Sequence, residues 1–340
     1  MSNVPKPVGV VCSDVDWARD TNTAGKDLHC LTRGDSIGLT VVSEACLLSL
    51  IAVVYVFLRI LRNVIWRLRR FPLRKFKMFH TPMDLLMFGL FFADILQAVG
   101  GVLDLRWIHL GKVEVGEYCN AQGIVQSIGE TAVAMTTLTI AIFTFLGVWM
   151  GKNITSMFLT RVILAGIWLF IAVVVIVGNT VHRNPSKEHF QSPTPYWCWV
   201  ANDYMPWKIL GEYIWFWFTL GVLLFAYTPL FFWVRGNIVI HDPQWWKFHF
   251  QRADETDPEI RAKRKRAFVM AAYPAVYCIN ILPFSVVRWI TFSHAEKNTA
   301  AATFAVTSIY GLSGLFNVIL LLSTKPDAGL FGPRIPITSA

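Results

Sequence analysis

Apolar residues in this chain fall in long blocks separated by shorter polar and charged stretches, and seven of the blocks run to twenty residues or more. They are Ile37–Ile60, Met83–Leu103, Ile124–Val148, Val162–Val181, Ile209–Val234, Ala267–Ile290 and Ala300–Leu322. At a helical rise of about 1.5 Å per residue, each block can cross a hydrocarbon layer about 30 Å thick. Backbone with open edges cannot face lipid, so each block predicts an α-helix. The expected fold class is therefore all-α and integral to the membrane, a seven-transmembrane helix bundle. Residues 1–35 read as a polar tail lacking the apolar core of a cleavable leader, 36–323 as the bundle and 324–340 as a short second tail. No internal repeat is visible.

Local punctuation agrees. Thr81-Pro82-Met83-Asp84 combines an N-cap residue, a proline at the first helical position and an acid in the first turn. Asp257-Pro258-Glu259 repeats the pattern ahead of the sixth block, which predicts that this helix extends several turns beyond the membrane. Pro229, Pro274 and Pro283 should kink the fifth and sixth helices.

Composition adds orientation. Only 16% of residues are charged, against about 25% in a soluble domain, yet the net charge is +9. Twenty of the 31 basic residues fall on one side of the alternating loops. Eight lie in Arg59–Lys77 and eight in Arg235–Arg266. The positive-inside rule then puts the N-terminus outside and the C-terminus in the cytoplasm, and nucleic acid becomes an unneeded partner. On that topology Cys119 and Cys198 both face an oxidising compartment, and a disulfide between them is expected. Cys12 and Cys30 lie in the outer tail, where spacing alone leaves their pairing open, and Cys46 and Cys278 read as buried small apolar residues. Asn153-Ile154-Thr155 falls in a cytoplasmic loop and should stay unglycosylated.

Polar residues inside the blocks carry the candidate chemistry. Asp94 lies about 18 Å along the second helix from Pro82, and Glu130 about 16 Å along the third from Cys119, so both reach the midplane. Charges there are costly and ask for a reason. Stripes of polar residues, among them Gln122, Gln126 and Glu130 at steps of four, should converge on the bundle interior. Two readings stand side by side: hydrogen bonds that hold helices together, or a water-filled ligand pocket. The pocket reading takes Gln97, Asp104, Gln122, Gln126, Glu130, Glu212 and Arg288 as ligand-binding and expects a small polar ligand. Asp94, Pro274, Tyr277, Pro283 and Asn317 are the candidate structural or switch positions. The run Tyr213, Trp215, Phe216, Trp217, Phe218 reads as packing and interfacial anchoring. On the cytoplasmic side, aromatic and basic residues of Arg62–His80 and Trp245–Phe248 suit anionic headgroups. Arg261, Lys263, Arg264, Lys265 and Arg266 are the candidate contacts for a cytoplasmic partner protein.

Other seven-helix classes fit poorly. A retinal protein needs a lysine in the last helix, and none lies between Ala300 and Ser323. Every histidine falls in a tail, a loop or a helix end, so no metal site inside the membrane and no cofactor is expected. A transporter or channel using Asp94 and Glu130 is the alternative function.

Some segments resemble a known family. The third helix reads Cys119-Asn120-Ala121-Gln122-Gly123, then Gln126, Gly129-Glu130 and Thr137 to Leu146. The loop beyond the fourth helix reads Tyr196-Trp197-Cys198-Trp199, and the sixth reads Tyr273-Pro274-Ala275-Val276-Tyr277 with Pro283. Together these resemble the fungal glucose-sensing receptors, a class related to the slime-mould cyclic-AMP receptors. The resemblance implies a plasma-membrane G-protein-coupled receptor, not an enzyme, with a Gα partner, nutrient-type sensing and the Cys119–Cys198 bridge. Phe145-Leu146-Gly147-Val148-Trp149 stands where Asp-Arg-Tyr would end the third helix, and Asn-Pro-x-x-Tyr is absent from the seventh. On those two absences the chain is expected to lie outside the rhodopsin class. The short tail has no cysteine for a palmitoyl anchor and few phosphorylatable positions, Thr324, Thr338 and Ser339.

Overall fold

The computed structural model describes residues 5–70, 78–150, 154–181, 189–235, 238–241, 244–250, 275–290 and 299–324. Arg261, Lys263, Arg264, Lys265, Arg266 and Pro274 lie outside the described residues. The first half of the chain holds α1 (Asp14–Thr23), β1 (Leu28–Cys30), α2 (Arg33–Arg70), α3 (Pro82–Val102), α4 (Leu105–Leu110), β2 (Lys112–Glu114) and α5 (Glu117–Trp149). The second half holds α6 (Met157–Val181), β3 (Gln191–Pro193), β4 (Cys198–Val200), α7 (Met205–Lys208), α8 (Ile214–Arg235), β5 (Ile238–His241) and β6 (Gln244–Phe250). It ends with α9 (Ala275–Ile290), α10 (Ala300–Gly311) and α11 (Ser313–Thr324). Six described helices are long and apolar enough to cross a membrane, and α9 is a shorter apolar helix. These are the seven expected spans.

The start of α3 follows from its first residues. Thr81 Oγ1 accepts from the Asp84 amide at 3.1 Å, and Asp84 Oδ2 accepts from the Thr81 amide at 3.0 Å. This reciprocal cap satisfies two amides that would otherwise have no helical partner, and Pro82 has no amide to satisfy. α5 is the most enclosed of the six long helices, packed on α3, α6, α8 and β4, whereas α6 is the least enclosed. Phe158, Leu169 and Ile176 project from α6 uncovered, as expected of side chains that meet lipid. A Cβ at Gly129 would collide with the Gln97 backbone, so α3 and α5 touch main chain to main chain there.

Two spans depart from a single continuous helix. The last is divided at Leu312, because Ser49 Oγ of α2 accepts the Leu315 amide at 3.2 Å and so enters the helical hydrogen-bond ladder. The fifth begins as α7 and widens into a π-turn at Ile209–Tyr213 before α8. Thr131 of α5 donates to the Gly211 carbonyl of that turn at 3.3 Å. The aromatic run in this span is split by the helical period: Tyr213 and Phe216 are buried, while Trp217 and Phe218 are exposed. Phe216 packs on Phe284 and Tyr310.

The amino-terminal segment is folded against one end of the bundle, here termed the N-terminal face. β1 pairs antiparallel with β2, placing His29 opposite Val113. Cys12 and Cys30 are disulfide-bonded, and Cys119 at the start of α5 is bonded to Cys198 in the β3–β4 hairpin. Lys112 Nζ reaches Asp16 at 3.0 Å and Glu114 at 2.9 Å, tying α1 to β2. Cys46 is buried as expected, whereas Cys278 is only half-buried.

Candidate functional site

The sequence-selected polar residues are all buried, but they form separate groups. The first is built around Gln122. Its Nε2 donates to Asp104 Oδ1 at 2.6 Å and to the Gly100 carbonyl at 3.3 Å. Its Oε1 accepts from Trp107 Nε1 at 2.6 Å and from the Cys198 amide at 3.1 Å. One amide side chain thus joins α3, α4, α5 and the bridged hairpin, and Asp104 and Gln122 are occupied in doing so. Gln97 is likewise engaged, donating to the Tyr310 carbonyl at 3.2 Å.

The second group lies where α5 meets the π-turn. Gln126 Nε2 donates to Glu130 Oε1 at 2.9 Å, one helical turn away. Glu212 of the π-turn adjoins Glu130 in the same network. Trp199 Nε1 donates to Glu212 Oε2 at 3.0 Å, bringing the β3–β4 hairpin into the same network.

Arg288 of α9 completes that region. Its guanidinium carbon stands 4.6 Å from the Trp197 ring centre, 5.1 Å from Trp199 and 5.3 Å from Phe284. Lys208 Nζ stands 4.5 Å from the Trp199 ring and donates to Asn202 Oδ1 at 2.5 Å. Arg288, Lys208 and Trp199 help to line a cavity of about 620 Å³ that opens on the N-terminal face. Its walls come from the amino-terminal segment (Lys26 and His29) and from the loop before β4 (His189, Ser192–Pro195). The rim is crossed by an ion pair, Lys26 Nζ to Asp203 Oδ2 at 3.1 Å. Burial lowers the His29 imidazole below its ordinary value, while the charges of Asp20 and Asp35 oppose that shift. Burial also pushes the Tyr196 hydroxyl up to about 12.

Of the sequence-selected set, Arg288 alone lines this cavity, with Glu130 and Glu212 linked to its wall through Trp199. Lys208, which also stands on this wall, is not among the sequence-selected residues. A lysine beside Trp207 at the start of an apolar block carries some signal, but its inward direction depends on the π-turn that follows.

Deeper in the bundle, Asn317 Nδ2 donates to Asp94 Oδ2 at 3.0 Å. Asn317 also borders a cavity of about 10 Å³ with Tyr277, Asn280, Tyr310 and Ser313, room for roughly one water. Pro283 lies within α9, one residue before the buried Phe284. Among the described residues no cluster of three metal-ligating side chains occurs.

A family model for the seven-transmembrane receptors of the rhodopsin family matches residues 72–317. The chain belongs to that family. It is therefore a G-protein-coupled receptor and a multi-pass membrane protein. No curated protein sequence matches it. The exclusion drawn from the missing Asp-Arg-Tyr and Asn-Pro-x-x-Tyr is overturned by this match. The physical reason is one of extent: two short motifs at inner helix ends are a small part of a pattern written over the whole bundle. The match runs from ahead of the second helix into the seventh.

Proposed function

We propose that this receptor binds a small polar ligand from outside the cell and activates a Gα subunit at its cytoplasmic face. The observation that carries the reading is the cavity of about 620 Å³ with Arg288 and Lys208 on its wall, a size and polarity suited to a small metabolite. The N-terminal face is then extracellular and the membrane the plasma membrane. Both disulfides lie on that face, which suits an oxidising compartment. The concentration of Lys and Arg in the opposite loops supports the same orientation. The likeness of the third and sixth helices to fungal glucose-sensing and cyclic-AMP-type receptors supports a nutrient-type ligand.

A contiguous set of contacts can carry the signal. Arg288 stacks on Phe284, and Phe284 stacks on Tyr310 with ring centres 4.6 Å apart. Tyr277 and Asn280 continue the same buried face of α9 towards Asn317. A ligand that binds one placement of α9 better than another shifts the population towards it. Arg261, Lys263, Arg264, Lys265 and Arg266, on the chain just before α9, then meet Gα.

The test is guanine-nucleotide exchange on a panel of Gα subunits in membranes carrying the receptor, across sugars, amino acids, nucleotides and organic acids. Ligand-dependent exchange that disappears when Arg264, Lys265 and Arg266 are made acidic is the expected result. Exchange by no Gα with any ligand overturns the reading.

A further inference from the structure

Arg288 is 95% buried by the measure of its 5% exposure, and its Nε has no hydrogen-bond partner. Among the described residues no carboxylate forms an ion pair with it. A guanidinium stays charged at any physiological pH, and a buried charge without a counterion is costly. Three aromatic rings surround it, yet stacking uses only the faces of the planar group. The N–H donors point outward in the plane and remain available at the edge.

The nearest acids are committed elsewhere. The carboxyl oxygens of Glu130 and Glu212 already accept from Gln126 and from Trp199. An anion at the edge of the Arg288 guanidinium supplies a counter-charge that a neutral guest does not. The two acids that line the cavity, Asp27 and Asp203, come from the amino-terminal segment and the loop after β4, and Asp203 pairs with Lys26.

We infer that the ligand of this receptor carries an oxyanion, a carboxylate or a phosphate, on an otherwise uncharged small molecule. Arg288 grips it through its free edge, and the remainder of the ligand lies along Trp199 in the cavity. Arginine suits this role because its fork of donors matches two oxygens of either group. The inference rests on the proposed ligand site and sharpens it.

The test uses full-length receptor in phosphatidylcholine nanodiscs without G protein, at constant ionic strength. The probes are inorganic phosphate, acetate, glucose, gluconate and glucose 6-phosphate, read by thermal stabilisation and by tryptophan fluorescence. A saturable response to phosphate or to a charged sugar, and none to glucose, is expected. Gluconate against glucose 6-phosphate then tells which oxyanion is preferred. Arg288→Gln should weaken the response by about tenfold or more, the scale of losing a charge-assisted partner. Arg288→Lys, which keeps the charge, should retain part of it and controls for folding. Arg19→Gln, at an exposed position of α1 outside the cavity lining, should leave it within about twofold, as a solvent-screened charge does. Glucose responding as strongly as its charged forms overturns the inference, and so does an anion response that is absent or indifferent to Arg288→Gln. Nucleotide exchange separates the two proposals. Arg288-dependent anion binding that never drives exchange sinks Gα activation alone, and exchange driven only by uncharged ligands sinks the oxyanion alone.

Discussion

Near the N-terminal face, Gln122 uses both ends of its amide to hold Asp104, Trp107, the Gly100 carbonyl and the Cys198 amide, and the Cys119–Cys198 bridge closes the same cluster. Deeper along α9 and α10, Asn280, Ser285, Thr307 and Tyr310 are equally buried, yet each has a side-chain atom with no hydrogen-bond partner. The first region has committed its polar groups to one geometry. In the second, a change in helix placement would sacrifice few existing bonds and could form new ones. A packed network of satisfied groups resists motion, and a partly satisfied one admits a second arrangement. The Gln122 cluster is thus a braced node, and the Asn280, Ser285, Thr307 and Tyr310 side chains are less committed to one placement of their helices.

Substitutions can break or sharpen that contrast. Cys198→Ser opens a link between residues 79 apart in sequence and should cost about 2–5 kcal/mol. It would be read as a lower melting temperature and poor surface expression. Gln122→Leu comes next, because it strands Asp104, the Trp107 indole and the Cys198 amide together. A loss of at least about 2 kcal/mol in thermal melting is expected, and a neutral result would remove the braced node from the account. Trp199→Phe keeps a ring in place but takes away the bond to Glu212, for about 1 kcal/mol. It should also dim the fluorescence change on anion binding.

The amino-terminal cap should respond to pH. The His29 imidazole sits below its ordinary 6.5, so the folded cap favours the neutral ring. Its contribution is fully present above pH 6.5 and is lost as pH falls through the lowered value. Hydrogen exchange of residues 10–32 should speed up on acidification, and His29→Asn should flatten that dependence. The smallest effect belongs to the other side of the comparison. Asn280→Leu removes a side chain whose oxygen and nitrogen both have no partner, so stability should change by less than about 0.5 kcal/mol or rise. A fall as large as that of Gln122→Leu would erase the distinction between the two regions.

Much of this was readable from particular residues. Thr81-Pro82-Met83-Asp84 announced a helix start that the reciprocal Thr81–Asp84 cap bears out. The extent of apolar blocks located the spans because lipid imposes one length and one backbone geometry on all of them. The break at Leu312 was hidden, since it depends on Ser49 arriving from another helix. The exclusion from the rhodopsin family failed for a related reason: it weighed two local motifs against a pattern distributed over 72–317.

The site was legible only in part. Polar stripes showed that Gln122, Gln126 and Glu130 share a helix face, because the helical period fixes that locally. Which of them would bond to one another and which would border open space was undetermined, since hydrogen-bond partners come from other helices. Lys208 and Trp199 enter the cavity wall through a π-turn and a disulfide-held hairpin, neither of which leaves a periodic trace. The sequence by itself determined that this chain is a membrane bundle, because burial in lipid is a property of each segment alone. Only the tertiary structure decided that Gln122 is a brace and that Arg288 lines a cavity, because a polar group's surroundings depend on which partners reach it.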